Sequence, residues 1–546
     1  MPFVLTWCYW WFKKQTQLTY YRLTNMLLHN LLTQSTERFP EKTALVFNDK
    51  RYTYSQLTRW VMQLAHGFRE YGLKRNERVV IYLDNCPEVI TAVYGVLSAD
   101  GVFVVVNNQV KYQKLTYIIN NCEASYCLTA TRFLSSPDII NRLRKDCPSL
   151  RNIFFIDEPQ IDGISISEFN SYGGDPVRSD NIDIDIAGII YTSGSTGFPK
   201  GVTMTHLNMV SAVRSITTYL RNTEDDIVLD VLPLSFDYGL YQVLMCYYFG
   251  GTLVLQKDMV YIYKIIEVLQ KEKVTGFPIV PTILSILLRM KNPKSLDLCQ
   301  LRYISNTGAA LQLQYIRKFR SLFPHVQIFS MYGLTECKRV SYLEPEEIDR
   351  KPTSVGKAMP NLEIKIVDDN WNVLPTNTTG RLVVRGTSVM QGYWIDQNAT
   401  DERIKQGRHP FERFLDTGDL FKMDEEGYLY FVGRNDDLLK VKGERVAPRE
   451  VETILCQYPG VAEAAVIGKP DEEWGSRIIA FVVPDGSNNS IEVNSLLRYC
   501  KQNLEDFAVP KELIIVNELP RNQNGKIDKK SLLIYDQSEE RKTHVT

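Results

Sequence analysis

A dense group of glycines, hydroxyls and one lysine lies in the segment "YTSGSTGFPKG", residues 191–201. Backbone N–H groups and hydroxyls of such a turn can surround the oxygens of a polyphosphate, and the lysine adds positive charge. A Walker A loop needs its lysine directly after the last glycine, whereas Pro199 precedes Lys200 here. We therefore expect a phosphate-binding loop of another kind. Its candidate side chains are Thr192, Ser193, Ser195, Thr196 and Lys200.

Four further motifs follow this loop in chain order. They are "MYGLTEC" (331–337), "LDTGDL" (415–420), "GYLYFVGRNDD" (427–437) and "PRNQNGKIDKKSL" (520–532). Together the five motifs resemble the adenylate-forming superfamily, which contains acyl-CoA synthetases, firefly-type luciferases and adenylation domains of nonribosomal peptide synthetases. The resemblance implies that ATP and a carboxylic acid form an acyl-AMP, and that the acyl group then passes to a thiol. Such a protein must neutralise charge and align the reactants.

The resemblance assigns the phosphates of ATP to the first two motifs. Ser195, Thr196 and Lys200 would hold the β- and γ-phosphates, and Thr335 would contact the α-phosphate. Glu336 would bind Mg²⁺, a hard cation that prefers carboxylate oxygen.

The nucleoside half of ATP is assigned to the later motifs. Tyr332 would stack on adenine, while Asp419 would accept both ribose hydroxyls with the help of Arg434. The remaining residues expected around the nucleotide are Gly308, Ala309 and Ala310 of "NTGAA", and Gly333.

Lys526 matches the mobile catalytic lysine of these enzymes. Its ammonium group would bridge the substrate carboxylate and the ribose side of the adenylate as negative charge develops, completing a catalytic set with Thr335 and Lys200. Asp436 matches the hinge about which the small C-terminal domain swings between the two half-reactions. That motion would withdraw Lys526 and open a channel for the thiol near Gly443.

The segment "LPLSFDYGLYQ", residues 232–242, departs from fatty-acid and aryl ligases, which usually carry a histidine there. Asp237 resembles the aspartate that pairs with the substrate ammonium in amino-acid-activating domains. A buried carboxylate is costly without a cation, so Asp237 in an acyl pocket favours a positively charged substrate. The alternative is an aspartate turned outward. Lys338 and Arg339 argue against an apolar fatty-acid tunnel.

The two segments at 232–242 and 331–343 look most like stand-alone L-prolyl–[peptidyl carrier protein] ligases of prodigiosin-, pyoluteorin- and anatoxin-type pathways. This resemblance implies activation of L-proline and transfer to the phosphopantetheine thiol of a separate carrier protein. The competing hypothesis is a free-standing acyl-CoA ligase with a similar "SFDYGL" segment. A luciferase-like oxygenase and a degenerate nucleotide-binding protein are remoter alternatives.

The elements that must position these residues follow from the hydrophobic pattern. Apolar runs such as "ERVVIYL" (77–83) and "GVFVVVN" (101–107) alternate with amphipathic stretches such as 56–72, which predicts an α/β fold. By resemblance, residues 26–434 form a large multi-layer N-terminal domain and 435–546 a small, mobile α+β C-terminal domain, after an extension at 1–25. Residues 157–185 are predicted to be an exposed linker, and residues 493–504 a helix with one apolar face.

Composition excludes several classes of partner. The 546 residues carry a net charge of -1, so no global field attracts nucleic acid or an anionic membrane, and neither partner is expected. The 10 cysteines contain no CxxC pair and the six histidines are dispersed, which favours a reducing cytoplasm and argues against a zinc site.

Overall fold

The structure, a computed structural model, describes residues 27–159, 162–192, 198–257, 262–290, 293, 296–309, 311–434, 437–441, 444–471, 475–485, 491–522, 526–529 and 531–532. The chain forms two compact units. The first contains residues 1–278, 335–339 and 387–400, and the second contains residues 279–334, 340–386 and 401–546. The predicted boundary between 434 and 435 remains a prediction.

The strands of the described residues are β1 (Thr43–Phe47), β2 (Lys50–Thr53), β3 (Arg78–Leu83), β4 (Val102–Asn107), β5 (Tyr126–Thr129), β6 (Asn152–Phe155), β7 (Ile164–Ser165), β8 (Ile186–Thr192), β9 (Lys200–Thr205), β10 (Ile227–Asp230), β11 (Thr252–Leu255), β12 (Gly276–Ile279), β13 (Tyr303–Asn306), β14 (Gln327–Tyr332), β15 (Ser341–Leu343), β16 (Lys357–Ala358), β17 (Leu362–Val367), β18 (Gly380–Gly386), β19 (Gly392–Tyr393), β20 (Ile404–Gln406), β21 (Arg413–Met423), β22 (Leu429–Arg434), β23 (Leu439–Val441), β24 (Glu444–Val446), β25 (Val461–Asp471), β26 (Gly475–Pro484) and β27 (Glu512–Ile515).

The α-helices of the described residues are α1 (Asn30–Arg38), α2 (Tyr54–Glu70), α3 (Pro87–Ser98), α4 (Tyr112–Asn121), α5 (Pro137–Asp146), α6 (His206–Tyr219), α7 (Asp237–Phe249), α8 (Ile262–Lys271), α9 (Pro281–Leu288), α10 (Leu313–Leu322), α11 (Gln397–Arg403), α12 (Pro448–Gln457) and α13 (Val493–Asn503). None of them is long and apolar enough to cross a membrane.

One sheet of the first unit has the strand order β19-β9-β8-β4-β3-β5-β6-β7. Strands β4, β3, β5 and β6 are parallel neighbours, and their residues are almost all buried, as expected for parallel strands covered on both faces. Helix α2, which precedes β3 in the chain, begins at a capping box in which Thr53 Oγ1 accepts from the Gln56 N–H. The predicted α/β fold is confirmed, including the strands at 78–83 and 102–107.

The segment 157–185 is more structured than the predicted linker. It contains β7 and a 3₁₀ helix at Ile166–Ser171, in which Phe169 is buried. The ring of Phe169 fills the space left by Gly67, where a Cβ atom would lie 2.3 Å from the ring. The acidic composition of the segment concealed this buried aromatic side chain.

The second unit contains three groups of strands that matter for the site. Strands β13, β14, β15 and β16 are neighbours in that order, and β17-β18-β21-β20 form a further sheet in which β22 pairs with β21. Near the C-terminus, β25-β26-β27 form a sheet that packs with α12 and α13 around a shared apolar core. The predicted helix at 493–504 is confirmed as α13, with Leu496 and Cys500 buried.

Candidate functional site

The glycine-rich loop joins two antiparallel strands. Thr192 at the end of β8 lies directly opposite Lys200 at the start of β9, so residues 193–199 connect a hairpin. A Walker A loop instead joins a strand to a helix, so the structure agrees with the sequence argument against that motif. The hydroxyl residues Ser193, Ser195 and Thr196 lie outside the described residues.

Lys200 and Glu336 are brought together by a residue that the sequence analysis missed, Tyr393. The Nζ atom of Lys200 lies 5.3 Å from the centroid of the Tyr393 ring, and the Tyr393 hydroxyl donates to Glu336 Oε1 at 2.8 Å. Tyr393 lies on β19, which pairs with β9. Its spacing in the sequence carries no signal, because only this strand pairing places it beside Lys200.

The Glu336 carboxylate would fit a magnesium site of the kind that a nucleotide completes. Among the described residues no group of three or more His, Cys, Asp or Glu could hold a metal ion by itself. Mg²⁺ is usually bound by one or two carboxylates together with substrate phosphates and water, so one carboxylate beside Lys200 suits it. The neighbouring Thr335 is half-buried.

Tyr332, Asp419 and Arg434 form a compact polar group in the second unit. The Tyr332 hydroxyl donates to Asp419 Oδ2 at 2.5 Å, and Arg434 Nε lies 3.3 Å from Asp419 Oδ1 as an ion pair. Asp419 on β21 and Arg434 on β22 are direct cross-strand partners. Burial and the Asp419 charge raise the pKa of Tyr332 well above its ordinary value, so the hydroxyl keeps its proton and can donate it.

The loop after β13 lies against the side chain of Lys526, the predicted catalytic lysine. Gly308 has a φ of +85°, a backbone conformation that favours glycine, and Asn306 Nδ2 donates to the carbonyl of Ala309 at 2.8 Å. A Cβ atom on Gly308 would lie 3.4 Å from Cε of Lys526, so the lysine side chain lies against this loop. The structure thus brings Lys526 to the predicted adenine loop. Ala310, Asp436 and Gly443 lie outside the described residues.

Polar contacts hold β25, in the C-terminal part of the second unit, against α9 and α10. Gln314 Nε2 on α10 donates to the carbonyl of Ala462 at 2.9 Å. Glu463 Oε2 lies 2.7 Å from Arg521 Nη2, and its Oε1 atom accepts from Ser285 Oγ at 3.4 Å. Because Arg521 lies five positions before Lys526, these contacts fix the segment that carries the lysine.

Asp237 is the first residue of α7 and is buried, but it is already paired. Lys338 Nζ donates to Asp237 Oδ2 at 3.0 Å, and both side chains are at most 8% exposed. The Lys338 ammonium also lies 4.3 Å from the centroid of the Tyr241 ring. Burial lowers the pKa of Lys338, and the Asp237 charge acts in the opposite direction. The cation that the sequence argument required of the substrate is therefore supplied by the chain itself.

Two local features hold Asp237 in this position. A Cβ atom on Gly239 would lie 2.5 Å from the carbonyl oxygen of Pro233, so glycine is required where the helix packs on its own entry loop. The side chain of Asn85 clamps that loop, donating to the carbonyl of Leu232 and accepting from the N–H of Leu234, both at 2.9 Å. These contacts explain the glycine of "SFDYGL".

The AMP-binding enzyme family model matches residues 32–394, and the model of the AMP-binding enzyme C-terminal domain matches residues 450–526. The chain therefore belongs to the AMP-binding enzyme family of adenylate-forming proteins. This family is the one indicated by the ordered motifs.

The relatives include acyl-CoA ligases and peptide synthetases. A long-chain-fatty-acid–CoA ligase of Escherichia coli O6:H1 is 30% identical over 92% of this chain and 94% of that enzyme. One polypeptide of the linear gramicidin synthase of Brevibacillus parabrevis is 28% identical over 93% of this chain, which spans only 6% of that much longer protein. Another polypeptide of the same synthase is 27% identical over 94% of this chain, which spans 10% of its length.

Among solved structures, o-succinylbenzoate coenzyme A synthetase from Bacillus subtilis, in complex with ATP and magnesium ion, has a TM-score of 0.78 and 27% identity. The match covers 92% of this chain and 99% of that one. The resemblance to prolyl–carrier protein ligases remains a prediction.

Proposed function

We propose that this AMP-forming ligase uses ATP and Mg²⁺ to convert a carboxylic acid to an acyl-AMP, and then transfers the acyl group to the thiol of coenzyme A or of a carrier protein. The observation that carries the proposal is the position of Lys526 against Gly308. The same unit contains Tyr332, Asp419 and Arg434, the residues expected to hold the nucleoside.

In the first half-reaction, each group has a separate task. Asp419, oriented by Tyr332 and paired with Arg434, would accept the ribose hydroxyls of ATP. Lys200 would neutralise phosphate charge, and Glu336 would hold Mg²⁺, which screens the phosphates from the incoming carboxylate. Lys526 would stabilise the negative charge that develops as the carboxylate oxygen bonds to the α-phosphorus and pyrophosphate leaves. The charges of these residues support neutralisation of the reactants as a main contribution.

Two candidate functions differ in the class of acid that the enzyme would activate. An acyl-CoA ligase, the first candidate, is supported by the Asp237–Lys338 pair, because Asp237 needs no cation from the substrate. Activation of an amino acid such as L-proline, with a carrier protein as acceptor, is the second candidate. It is supported by the burial of Asp237 at the start of α7 and requires the substrate ammonium to replace Lys338 Nζ.

An exchange of labelled pyrophosphate into ATP, run over a panel of acids, tests both candidates. The panel contains L-proline, other amino acids, cyclopentanecarboxylate, benzoate and medium-chain fatty acids. The first candidate predicts exchange with an acid that lacks an amino group, and little difference when the acid carries one. The second predicts a preference for L-proline that Asp237→Ala abolishes through a higher KM. Absence of exchange with every carboxylic acid tested, whether mono- or dicarboxylic, would contradict the proposed function itself. Mass spectrometry of the product formed with coenzyme A then identifies the acceptor.

A further inference from the structure

Arg339 is a buried cation for which the described residues supply no anion. Its side chain is 2% exposed, and its guanidinium carbon lies 4.6 Å from the centroid of the Tyr238 ring. Within the described part of the chain, no carboxylate lies within salt-bridge distance of it and its Nε atom has no hydrogen-bond acceptor. A buried guanidinium without an anionic partner is costly, because it loses its hydration and the contact with the Tyr238 ring compensates only part of that loss. The position therefore suits an anionic ligand.

The carboxylate of this cluster is already engaged. Asp237 accepts from Lys338 Nζ at 3.0 Å, and that bond is buried on both sides. The two cationic residues are adjacent in sequence, so Arg339 faces the same cluster without sharing its carboxylate. Each cation also contacts one aromatic ring, since Lys338 lies over Tyr241 and Arg339 lies over Tyr238.

A second donor in the cluster also lacks an acceptor. The hydroxyl of Tyr241 is buried and has no hydrogen-bond partner among the described residues. Burial and the Asp237 charge raise the pKa of Tyr241 well above its ordinary value, while the Arg339 charge opposes them, so the hydroxyl remains protonated within reach of both charges. Two unsatisfied donors, one of them cationic, define a site for an oxygen anion.

We propose that Arg339, assisted by the Tyr241 hydroxyl, binds a second carboxylate on the acid that this enzyme activates, so that the preferred substrate is a dicarboxylic acid. This inference rests on the proposed function, which places Asp237 at the acid-binding site. A planar guanidinium matches a carboxylate in two parallel hydrogen bonds, which suits a buried anion better than a neutral tail. The Asp237–Lys338 pair remains intact in this arrangement.

Matched pairs of acids test the proposal by pyrophosphate exchange. The two acids of each linear pair have the same number of carbon atoms: succinate and butyrate, glutarate and valerate, adipate and hexanoate. Isophthalate and benzoate form a rigid aromatic pair that differs by the second carboxylate. For the preferred diacid we expect kcat/KM to exceed that of its monoacid partner by about thirtyfold or more, the usual effect of losing a buried charged contact. A monoacid preference in every pair would overturn the inference and leave the proposed function intact. If none of the acids supported pyrophosphate exchange, both the inference and the proposed function would be overturned.

Variants then show whether Arg339 causes the preference. Arg339→Gln is expected to remove the diacid advantage with an unchanged KM for ATP, and Arg339→Lys to retain part of it. Arg178→Gln, at a position whose side chain is 92% exposed, is the matched control. An equal loss of activity with monoacids and diacids in Arg339→Gln would overturn the proposal, because it would assign Arg339 to the reacting carboxylate or to packing. Should Arg339→Gln fail to fold, the wild-type panel and Arg339→Lys still decide.

Discussion

The hydroxyl of Tyr332 donates a hydrogen bond to Asp419 Oδ2 over 2.5 Å, joining the end of β14 to the middle of β21. Arg434, the cross-strand partner of Asp419, approaches the other carboxylate oxygen at 3.3 Å. The carboxylate is thus oriented from two sides before any nucleotide binds. A preorganised acceptor of this kind suits the two adjacent hydroxyls of a ribose.

Tyr332→Phe is the mildest test of this arrangement, because it deletes the hydroxyl and keeps the ring. A hydrogen bond to a charged group contributes about 1.5–3 kcal/mol, so we expect the KM for ATP to rise by about 10-fold to 150-fold. The KM for the acid should change little. Tyr71→Phe, which removes a hydrogen bond to Glu168 on the surface, is the control and should leave both constants unchanged. An unaltered KM for ATP in Tyr332→Phe would contradict the assignment of Asp419 to the ribose.

Lys526→Ala should abolish adenylate formation while ATP binding persists. The expected fall in kcat is about 100-fold to 1000-fold, the usual effect of removing one group that stabilises transition-state charge. Pyrophosphate exchange measures the rate, and equilibrium binding of ATP measures the ground state. Lys501→Ala on the exposed face of α13 is the matched control. Exchange at the wild-type rate in Lys526→Ala would exclude the lysine from catalysis.

Glu463→Gln should slow adenylate formation without altering ATP binding. The substitution keeps the size of the side chain but removes the charge that pairs with Arg521 at 2.7 Å. A charged hydrogen bond contributes about 1.5–3 kcal/mol, and we expect about a tenfold lower exchange rate because the segment bearing Lys526 is held less firmly. Glu512→Gln removes a pair with Arg477 inside the same small sheet and serves as the control. Equal effects of the two substitutions would indicate a loss of local stability instead.

Breaking the Asp237–Lys338 pair should be costly for stability. Asp237→Asn or Lys338→Met leaves one buried charge unpaired, and either change is expected to lower the free energy of unfolding by about 3–5 kcal/mol. The double variant should lose less than the sum of the two, since it leaves no charge behind. Urea unfolding at constant pH measures all three. Asp162→Asn, which removes an exposed pair with Arg144, should cost about 0–1 kcal/mol. Additive losses would show that the two side chains do not interact.

The stability of the first unit should fall with acidification because of two buried histidines. Burial lowers the pKa of His206 to about 3 and that of His29 to about 4, below their ordinary value of 6.5. At pH values between the lowered pKa of each histidine and 6.5, the unfolded chain binds protons that the folded chain excludes. The stabilisation is therefore complete above pH 6.5 and decreases as the pH falls towards 4, by up to about 1.4 kcal/mol per pH unit for each histidine.

Urea unfolding between pH 7.5 and pH 5 measures this dependence. His206 Nδ1 accepts the N–H of Leu28 at 3.0 Å, so His206→Asn can keep an acceptor while removing the titration. We expect a shallower loss of stability with acid in this variant. An identical pH dependence in the wild type and in His206→Asn would show that other groups control the acid sensitivity.

The amino-acid sequence was sufficient to indicate the family and the type of the main elements, and it supplied the candidate nucleotide-binding residues. It could do so because those signals are local: a strand is recognised from its own apolar run, and Asp419 or Lys526 from the few residues around it. The α/β alternation likewise depends on periodicities within single segments.

The tertiary structure alone decided which side chains meet across the chain. Tyr393 reaches Lys200 and Glu336 because β19 pairs with β9, and Lys338 reaches Asp237 over a separation of 101 positions. Local patterns cannot encode such contacts, because strand register and helix packing are set by burial of the whole unit. From the sequence we predict a cation on the substrate beside the buried carboxylate of Asp237. In the fold this carboxylate is paired with Lys338 of the chain itself, because α7 packs against the segment at 335–339.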